Sequence, residues 1–304
     1  MLAADFTDTA NPLLGRALAV IRSRSGKMMR PALTLLAARL MGAIDRSALH
    51  VAVAYEALHT ASLIHDDVVD ESNQRRGLES INHSQGNRVA VLVGDYILSV
   101  AMHHISLTSN PRLVNVMSEA ASQLSHGELL QLLHTMDDEL SESTYFDIIG
   151  AKTAALFAAC AESGAITAGA ADADVERMHQ FGHLVGICFQ MKDDIFDYLS
   201  PPHIGKPTGN DMAEGRLTLP AIHAIQTGGQ NFDETVKKIK HQNAATDEIN
   251  RLVNYTKDCG GIEYTEQLMH DYANEAKHIL KYYRESDTRD ALMRYVDKVT
   301  QRNY

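Results

Sequence analysis

The sequence predicts an all-α protein, and its proline positions, its composition and the spacing of its apolar residues all support this. The stretches 32–110, 112–200 and 221–304 contain no proline. Long helices leave such gaps because proline is excluded from helix interiors. The same stretches are rich in Ala, Leu, Glu, Gln, Lys and Met, which favour helices, and they lack the alternating β-branched and aromatic runs typical of strands.

Apolar residues recur every three to four positions within 51–68 and again within 181–189, which predicts helices with broad buried faces. The chain has 304 residues, of which 45% are hydrophobic, so a large core can form. No low-complexity linker, break in composition or short-period repeat divides it. We therefore expect one helical domain over residues 1–304.

The formal net charge of −11 predicts a surface that repels nucleic acid and anionic membrane, so an anionic substrate needs a local cluster of basic residues. Cys160, Cys188 and Cys259 lack the paired spacing of a zinc site or a disulfide framework, which favours a reducing, cytoplasmic location. The N-terminus is acidic, and no apolar run reaches about 18 residues, so we expect no signal peptide and no membrane span.

The spacing Asp-Asp-x-x-Asp occurs twice, as DDVVD and as DDIFD. The residues concerned are Asp66, Asp67 and Asp70 in the first motif and Asp193, Asp194 and Asp197 in the second. Positions i and i+4 share one face of a helix, so each motif is expected to present a pair of carboxylates. Each motif also precedes a predicted helix end, at SNQRRG after the first and at LSPPHIG after the second.

A carboxylate pair at the C-terminal end of a helix faces the negative end of the backbone dipole, which is unfavourable unless a cation lies nearby. Oxygen ligands without His or Cys in motif spacing favour Mg²⁺ bridged to a phosphate. A single motif of this kind usually indicates only an acidic, solvated helix face. Here both motifs lie within apolar sequence, SLIHDDVVD and FQMKDDIFD, where unpaired charge is costly, so the functional interpretation is favoured.

Basic residues near these motifs supply the cationic cluster that an anionic substrate needs. They are Lys27 and Arg30 in GKMMRP, Arg75 and Arg76 in QRRG, Lys152 in AKTAALF, Lys192 before the second motif and Lys206 in GKPTGND. Each of them alone would be interpreted as a surface charge. Together they offer the arginine forks and lysine point charges that bind diphosphates.

With these residues the sequence resembles the trans-isoprenyl (polyprenyl) diphosphate synthase family, and is most like its long-chain members. The matching motifs run in order over most of the chain: GKMMRP, HTASLIHDDVVDESNQRRG, VLVGDYIL, GELLQL, AKTAALF, FQMKDDIFDY and GKPTGNDMAEGRLTLP. The resemblance implies a helical bundle of the isoprenoid synthase type with a central cavity, and a homodimer. It also implies a reaction, the condensation of an allylic prenyl diphosphate with isopentenyl diphosphate, which releases diphosphate.

The resemblance further implies roles for individual residues. The catalytic residues would be the two acidic motifs and two lysines: Asp66, Asp67, Asp70, Asp193, Asp194, Asp197, Lys152 and Lys206. More than one Mg²⁺ would be held by Asp66, Asp70 and Asp193 and bridged to the allylic diphosphate. That diphosphate and its developing carbocation would meet Arg75, Lys152, Thr153, Gln190 and Lys206. The isopentenyl diphosphate pocket would consist of Gly26, Lys27, Arg30, His59 and Arg76, although a lone helical histidine is more often a packing residue.

The product is expected to grow along the helix of the first motif, toward its N-terminus. Ala61 and Ser62 are small where short-chain family members carry bulky aromatic residues. A product of geranylgeranyl length or longer is therefore predicted, with a quinone side-chain precursor the favoured role. Tyr55 lies about 16 Å before Asp66, at ~1.5 Å rise per residue. It is either a deeper floor of the tunnel or a core aromatic that points elsewhere.

Three other interpretations fit these residues less well. A terpene cyclase also ionises allylic diphosphates, but it needs no second diphosphate pocket, so GKMMRP, His59 and Arg76 count against it. A catalytically idle subunit of a heteromeric synthase would be expected to lose motif residues that this chain keeps. A helical scaffold protein leaves the paired acids unexplained.

Overall fold

Helices make up nearly all of the regular structure, and the predicted all-α fold is confirmed. The computed structural model describes residues 11–23, 26–75, 77–136, 140–199 and 208–302. The helices are α1 (Pro12–Ser23), α2 (Met29–Met41), α3 (Arg46–Val69), α4 (Ile81–Gln85), α5 (Asn87–Ser106), α6 (Pro111–Met136), α7 (Glu142–Ile149), α8 (Ala155–Thr167), α9 (Asp172–Tyr198), α10 (Asn210–Ala213), α11 (Leu219–Thr227), α12 (Asp233–Lys240), α13 (Thr246–Asp258), α14 (Gly261–Leu280) and α15 (Asp287–Gln301).

Two irregular elements interrupt this series. A π-helical turn, Gly150–Ala154, joins α7 directly to α8. A short ribbon pairs β1 (Gln74–Arg75) antiparallel with β2 (Leu78–Glu79), so that Gln74 lies opposite Glu79. Both elements carry residues of the quoted motifs.

The chain divides into two compact units. The first contains Met1–Ala121 and Ala159–Met178, and the second contains Ser122–Ala158 and His179–Tyr304. Each acidic motif therefore belongs to a different unit. The expectation of one domain over residues 1–304 stays a prediction.

In the first unit, α3 carries the first acidic motif at its C-terminal end. The helix begins at the N-cap Asp45, whose side chain accepts a hydrogen bond from the Ala48 amide at 2.8 Å. Much of α3 is buried, because it packs against both α2 and α5. It ends at Val69 with Asp70 as the C-cap, where the sequence predicts a helix end.

In the second unit, α9 carries the second acidic motif near its C-terminal end. Gly182 and Gly186 let this helix approach the chain around α8 closely. A Cβ atom at Gly182 would lie 2.5 Å from the backbone oxygen of Phe157, and one at Gly186 would lie 2.5 Å from Cα of Ala154. The helix ends at Tyr198, which is buried in a hydrophobic cluster with residues of α10, α11, α12 and α13. The motif is thereby fixed to the core of its unit.

Helix α5 is the one helix within the described ranges whose length and composition would suit a membrane span. A core helix of a soluble protein has the same properties, and Ala90, Val93 and Ile97 of α5 are buried against the rest of the first unit. The finding is therefore weak support for a span.

Candidate active site

The first acidic motif turns two of its three carboxylates outward. Asp66 is half-buried and Asp70 is exposed, whereas Asp67 is only 2% exposed. The Asp70 amide donates to the backbone oxygen of Asp66 at 2.8 Å, so the helical turn that joins them is intact. Asp66 and Asp70 therefore share one face of the last turn of α3, as the spacing predicts.

Asp67 forms an ion pair with a basic residue of the same chain. Its Oδ1 lies 2.5 Å from Nε of Arg75, which is held in β1. The Asn82 side-chain amide donates to the backbone oxygens of Asp67 and Ser72, at 2.8 and 3.0 Å. These contacts fix the ribbon against the end of α3. Arg75 is 28% exposed, so this cation keeps accessible surface while it is paired with Asp67.

The last turn of α3 also contacts α5, through His65. A Cβ atom at Gly94 would lie 2.3 Å from Nε2 of His65, so glycine lets the imidazole take this position. The same nitrogen lies 3.3 Å from Oδ1 of Asp95 and 3.3 Å from the backbone oxygen of Val91. Residues of the motif VLVGDYIL therefore contact His65, which directly precedes Asp66. The sequence alone did not reveal this role.

In the second motif, Asp194 is buried among neutral hydrogen-bond donors. It is 3% exposed and accepts from the Tyr145 hydroxyl at 2.6 Å and from the Gln190 amide at 2.8 Å. Burial, together with the negative charge of Asp211, raises the pKa of Asp194 to about 8. The raised pKa favours the protonated form of Asp194 near neutral pH, and the hydrogen bonds from Tyr145 and Gln190 oppose this shift. Tyr145 was not identified from the sequence.

Asp197 holds the start of α10. The backbone amides of Asn210 and Asp211 donate to its two oxygens at 2.9 and 3.1 Å. Burial and the charge of Asp211 raise the pKa of Asp197 to about 6, and the two amide hydrogen bonds oppose that rise. Arg216 lies 2.9 Å from Asp211 and so partly balances the local negative charge.

Asp193 keeps accessible surface, unlike the buried Asp194. Its side chain is 42% exposed, and its Oδ1 lies 2.6 Å from a guanidinium nitrogen of Arg302. The second motif therefore also has an outward carboxylate with a cation beside it. Arg302 follows α15 and lies far from α9 in sequence, so no local pattern could identify it.

Lys152 and Thr153 lie on the π-helical turn. Lys152 Nζ lies 2.7 Å from Oε1 of Glu128 and 3.3 Å from Oε1 of Gln131, both on α6. A Cβ atom at Gly127 would lie 2.6 Å from the Lys152 amide nitrogen, so the glycine permits the close approach. The motif GELLQL therefore positions Lys152.

Thr153 contacts the residue that supports Asp194. Its hydroxyl donates to Oε1 of Gln190 at 2.8 Å, and the Gln190 amide donates in turn to Asp194. The structure thus joins three of the residues assigned from the sequence, and Tyr145, in one buried network.

The residues expected to bind isopentenyl diphosphate lie in the first unit. Gly26 is half-buried and Lys27 exposed, and both precede α2. Arg30, at the start of α2, is 8% exposed, and its charge lies near the buried thiol of Cys160. His59 is half-buried on α3. Arg76 and Lys206, which complete the expected binding sets, lie outside the described residues.

The three chain-length residues lie on two faces of α3. At about 100° per residue, Ser62 lies within roughly 20° of Tyr55 and 40° of Asp66, whereas Ala61 is turned about 100° from Ser62. Ser62 is half-buried and its hydroxyl donates to the backbone oxygen of His59 at 2.9 Å. Ala61 is buried. The buried Tyr55 hydroxyl lies 2.8 Å from Oγ of Ser163.

The donor set suits Mg²⁺ bound together with a phosphate. Among the described residues, no group of three or more His, Cys, Asp or Glu side chains is arranged to hold a metal ion. Asp66 and Asp70 form a pair of oxygen donors instead. Mg²⁺ commonly uses one or two carboxylates, several waters and substrate phosphates, so the residues present fit this ion.

A helical fold with two Asp-Asp-x-x-Asp helix ends, each with an outward carboxylate and a neighbouring cation, defines an isoprenoid synthase that acts on diphosphates. A family model described as polyprenyl synthetase matches residues 11–256. The chain belongs to this family, the trans-isoprenyl diphosphate synthases, as the sequence predicts.

Named relatives agree with this assignment. The chain is 34% identical over 284 residues to the octaprenyl diphosphate synthase of Escherichia coli strain K12, covering 93% of this chain and 88% of that protein. It resembles the crystal structure of a geranylgeranyl pyrophosphate synthase from Bacteroides thetaiotaomicron, with 42% identity, a TM-score of 0.87 and coverage of 99% and 94%. It also resembles a Caulobacter crescentus CB15 polyprenyl synthase crystallised with calcium and isoprenyl diphosphate, with 34% identity, a TM-score of 0.92 and coverage of 99% and 92%.

Membership of the family settles the reaction class. The chain is a trans-prenyltransferase, a polyprenyl diphosphate synthase, and dependence on Mg²⁺ is general to this family. The predicted product of geranylgeranyl length or longer agrees with the names of these relatives.

Proposed function

We propose that this chain extends an allylic prenyl diphosphate with isopentenyl diphosphate, using Mg²⁺ held by Asp66, Asp70 and Asp193. The observation that carries the proposal is the difference in burial between the acids of each motif. The middle acid is buried with partners of its own, and the outer acids Asp66, Asp70 and Asp193 keep exposed surface. Accessible carboxylate oxygens can bind Mg²⁺ together with a substrate phosphate, which supports the proposal.

The bound ions would neutralise the charge that develops on the departing diphosphate. Arg75, Lys152 and Lys206 would bind the same diphosphate and stabilise it as the allylic carbon–oxygen bond breaks. Arg75 and Lys152 are each held by a carboxylate, Asp67 and Glu128 respectively, which orients the cation before the substrate arrives.

Isopentenyl diphosphate would occupy a second pocket made by Gly26, Lys27, Arg30, His59 and Arg76. The exposed Lys27 and the half-buried His59 support this role. His59 is seven residues before Asp66 and so lies within roughly 20° of it around α3. The double bond of isopentenyl diphosphate attacks the carbocation to form the new carbon–carbon bond, and the departing diphosphate accepts the proton.

Thr153 and Gln190 would direct oxygen dipoles at the carbocation. The hydrogen bond between them and the bond from Gln190 to Asp194 hold both side chains in fixed positions. Preorganised dipoles of this kind stabilise developing charge without reorganising during the reaction.

The product would grow along α3 past Ser62 toward Tyr55. The half-buried Ser62 shares its face with Asp66, which supports a path along that side. The fixed Tyr55 ring would then limit the length, in keeping with a product of geranylgeranyl length or longer. A quinone side-chain precursor is the role that we favour for it.

The chain would act as a cytoplasmic homodimer built from one domain over residues 1–304. The match of a single family model to residues 11–256 supports one domain. Leu92 and Met102 on α5 are 68% and 62% exposed, and apolar surface of this kind suits a second copy of the chain.

The test is to incubate purified protein with Mg²⁺, labelled isopentenyl diphosphate and each allylic primer, and to size the dephosphorylated products. We expect label to be incorporated into products of geranylgeranyl length, about 20 carbons, or longer. Each step should add about five carbons. Conversion of the primer without incorporation of isopentenyl label would indicate a terpene cyclase and contradict the proposal.

A further inference from the structure

Arg302, the first residue after α15, binds α9 through three different contacts. Its guanidinium lies 2.6 Å from Oδ1 of Asp193. It donates to the backbone oxygen of Phe189 at 2.7 Å. It also lies over the Phe189 ring, 4.0 Å from the ring centroid, and 5.5 Å from that of Phe196. The end of the described chain is therefore fixed to the helix that carries the second motif.

Two of these contacts do not involve the Asp193 carboxylate. The Phe189 carbonyl and the aromatic rings hold the planar guanidinium by a hydrogen bond and by stacking. The Arg302 side chain is 10% exposed, so it is largely desolvated where it lies. Arg302 can therefore keep its position when the Asp193 carboxylate acquires another ligand.

Asp193 retains the capacity to bind a metal ion in this arrangement. A carboxylate has about four lone-pair sites on two oxygens, more than the contact of Oδ1 with the guanidinium occupies. The contact restricts the rotation of a side chain that is otherwise 42% exposed. Carboxylates that bind metals are commonly oriented by such hydrogen-bond donors.

We propose that Arg302 is a positioning residue, which orients Asp193 for the magnesium–diphosphate complex. The inference rests on the proposed role of Asp193 as a metal ligand. Arg302 acts through Asp193, and its effect on the reaction depends on that carboxylate.

The experiment measures metal binding without turnover. Protein with inorganic diphosphate is titrated with Mn²⁺, and the free ion is followed by electron paramagnetic resonance. The variants are Arg302→Gln, Arg302→Lys, Asp193→Asn and the double variant Arg302→Gln/Asp193→Asn. Arg294→Gln is the matched control, because Arg294 is exposed on the same helix α15.

We expect Arg302→Gln to weaken Mn²⁺ binding about tenfold. Arg302→Lys should lie between Arg302→Gln and the wild type, because lysine keeps the charge and loses the planar fork. Arg302→Gln should have no further effect when Asp193→Asn is already present. In turnover assays, raised Mg²⁺ should restore the activity of Arg302→Gln.

Three outcomes would overturn the inference. If Arg302→Gln binds Mn²⁺ as tightly as wild type, or more tightly, while Asp193→Asn binds it weakly, Arg302 does not position the carboxylate and the proposed metal site stands. If Arg302→Gln has the same effect with and without Asp193→Asn, its role is structural. If Asp193→Asn itself leaves Mn²⁺ binding unchanged, the metal role of Asp193 fails and the inference fails with it.

Discussion

The two acidic motifs have the same spacing and bury their middle acid to the same degree, yet they neutralise it in different ways. Asp67 is 2% exposed and is paired with the guanidinium of Arg75. Asp194 is 3% exposed and is surrounded by the neutral donors of Tyr145 and Gln190, with its pKa raised to about 8. The charge of Asp67 is balanced by a cation, whereas burial shifts Asp194 toward its neutral, protonated form.

The comparison separates the structural part of the motif from its chemical part. A buried carboxylate is costly unless it is paired or protonated, and each helix end meets that requirement with the partners available to it. Asp66, Asp70 and Asp193 keep accessible surface, whereas Asp197 accepts hydrogen bonds from the amides at the start of α10. What the spacing specifies is the outward face, because positions i and i+4 share it in any helix.

The largest expected effect comes from removing an outer acid. Asp66→Ala should lower the condensation rate by at least about 10³-fold, because the leaving diphosphate loses a metal ligand. Steady-state assays with isopentenyl diphosphate measure the rate, and circular dichroism should show an unchanged helix content. Asp258→Ala, at an exposed site on α13, is the control. Retained turnover in Asp66→Ala would contradict the assignment of the site.

The contrast between the middle acids can be tested by stability. Asp67→Asn should lower the free energy of unfolding by about 2 kcal/mol, since Arg75 loses its charged partner but is partly exposed to water. Asp194→Asn replaces a group that is already neutral in the folded protein at neutral pH. It should change the free energy of unfolding by less than about 1 kcal/mol at about pH 4, where ionisation of Asp194 in the unfolded chain contributes little.

The pH dependence of these two variants sharpens the test. The raised pKa of Asp194 means that the folded protein holds a proton that the unfolded chain releases above pH ~4. Wild-type protein should therefore lose stability relative to Asp194→Asn as the pH rises from about 4 to about 8, and the difference should then level off. Denaturant unfolding at several pH values, without metal, measures it. A pH-independent difference would mean that Asp194 is ionised in the folded state.

A smaller effect on the rate is expected from loosening Lys152, the basic residue on the π-helical turn of the second unit. Glu128→Gln removes the carboxylate that holds Lys152, and we expect kcat/KM for the allylic diphosphate to fall about tenfold because the lysine is less well oriented. Steady-state kinetics measures this ratio. Glu119→Gln is the control, since Glu119 is exposed on the same helix α6. Equal kinetics in both variants would show that Glu128 does not orient Lys152 for catalysis.

The smallest expected effect on the rate comes from a change at Ser62, which lies one helical turn before Asp66. Phe189 is the corresponding residue before Asp193. Ser62→Phe should shorten the product, because it places an aromatic ring on the face shared by Asp66 and Tyr55. Ala61→Phe should mainly lower stability, by about 1–3 kcal/mol, because Ala61 is buried. Product sizing and thermal unfolding separate the two. An unchanged product from Ser62→Phe would show that this face does not line the tunnel.

Local patterns predicted the all-α fold and the ends of α3 and α9, because proline positions and apolar spacing act within one helix. They could not distinguish Asp67 from Asp194. Their different partners come from a ribbon after α3 and from Tyr145 on α7, and contacts between separate elements leave no local signal. The role of Glu128 was hidden for the same reason, although GELLQL was recognised as a motif.

The π-helical turn at Gly150–Ala154 has a consequence for how this site can change over evolutionary time. Such a turn corresponds to one residue inserted into an α-helix, with the flanking turns keeping their own register. Lys152 and Thr153 can thus be redirected by a single inserted or deleted codon while the apolar faces of α7 and α8 remain packed as before. Catalytic geometry and core packing become separately adjustable at this point of the chain.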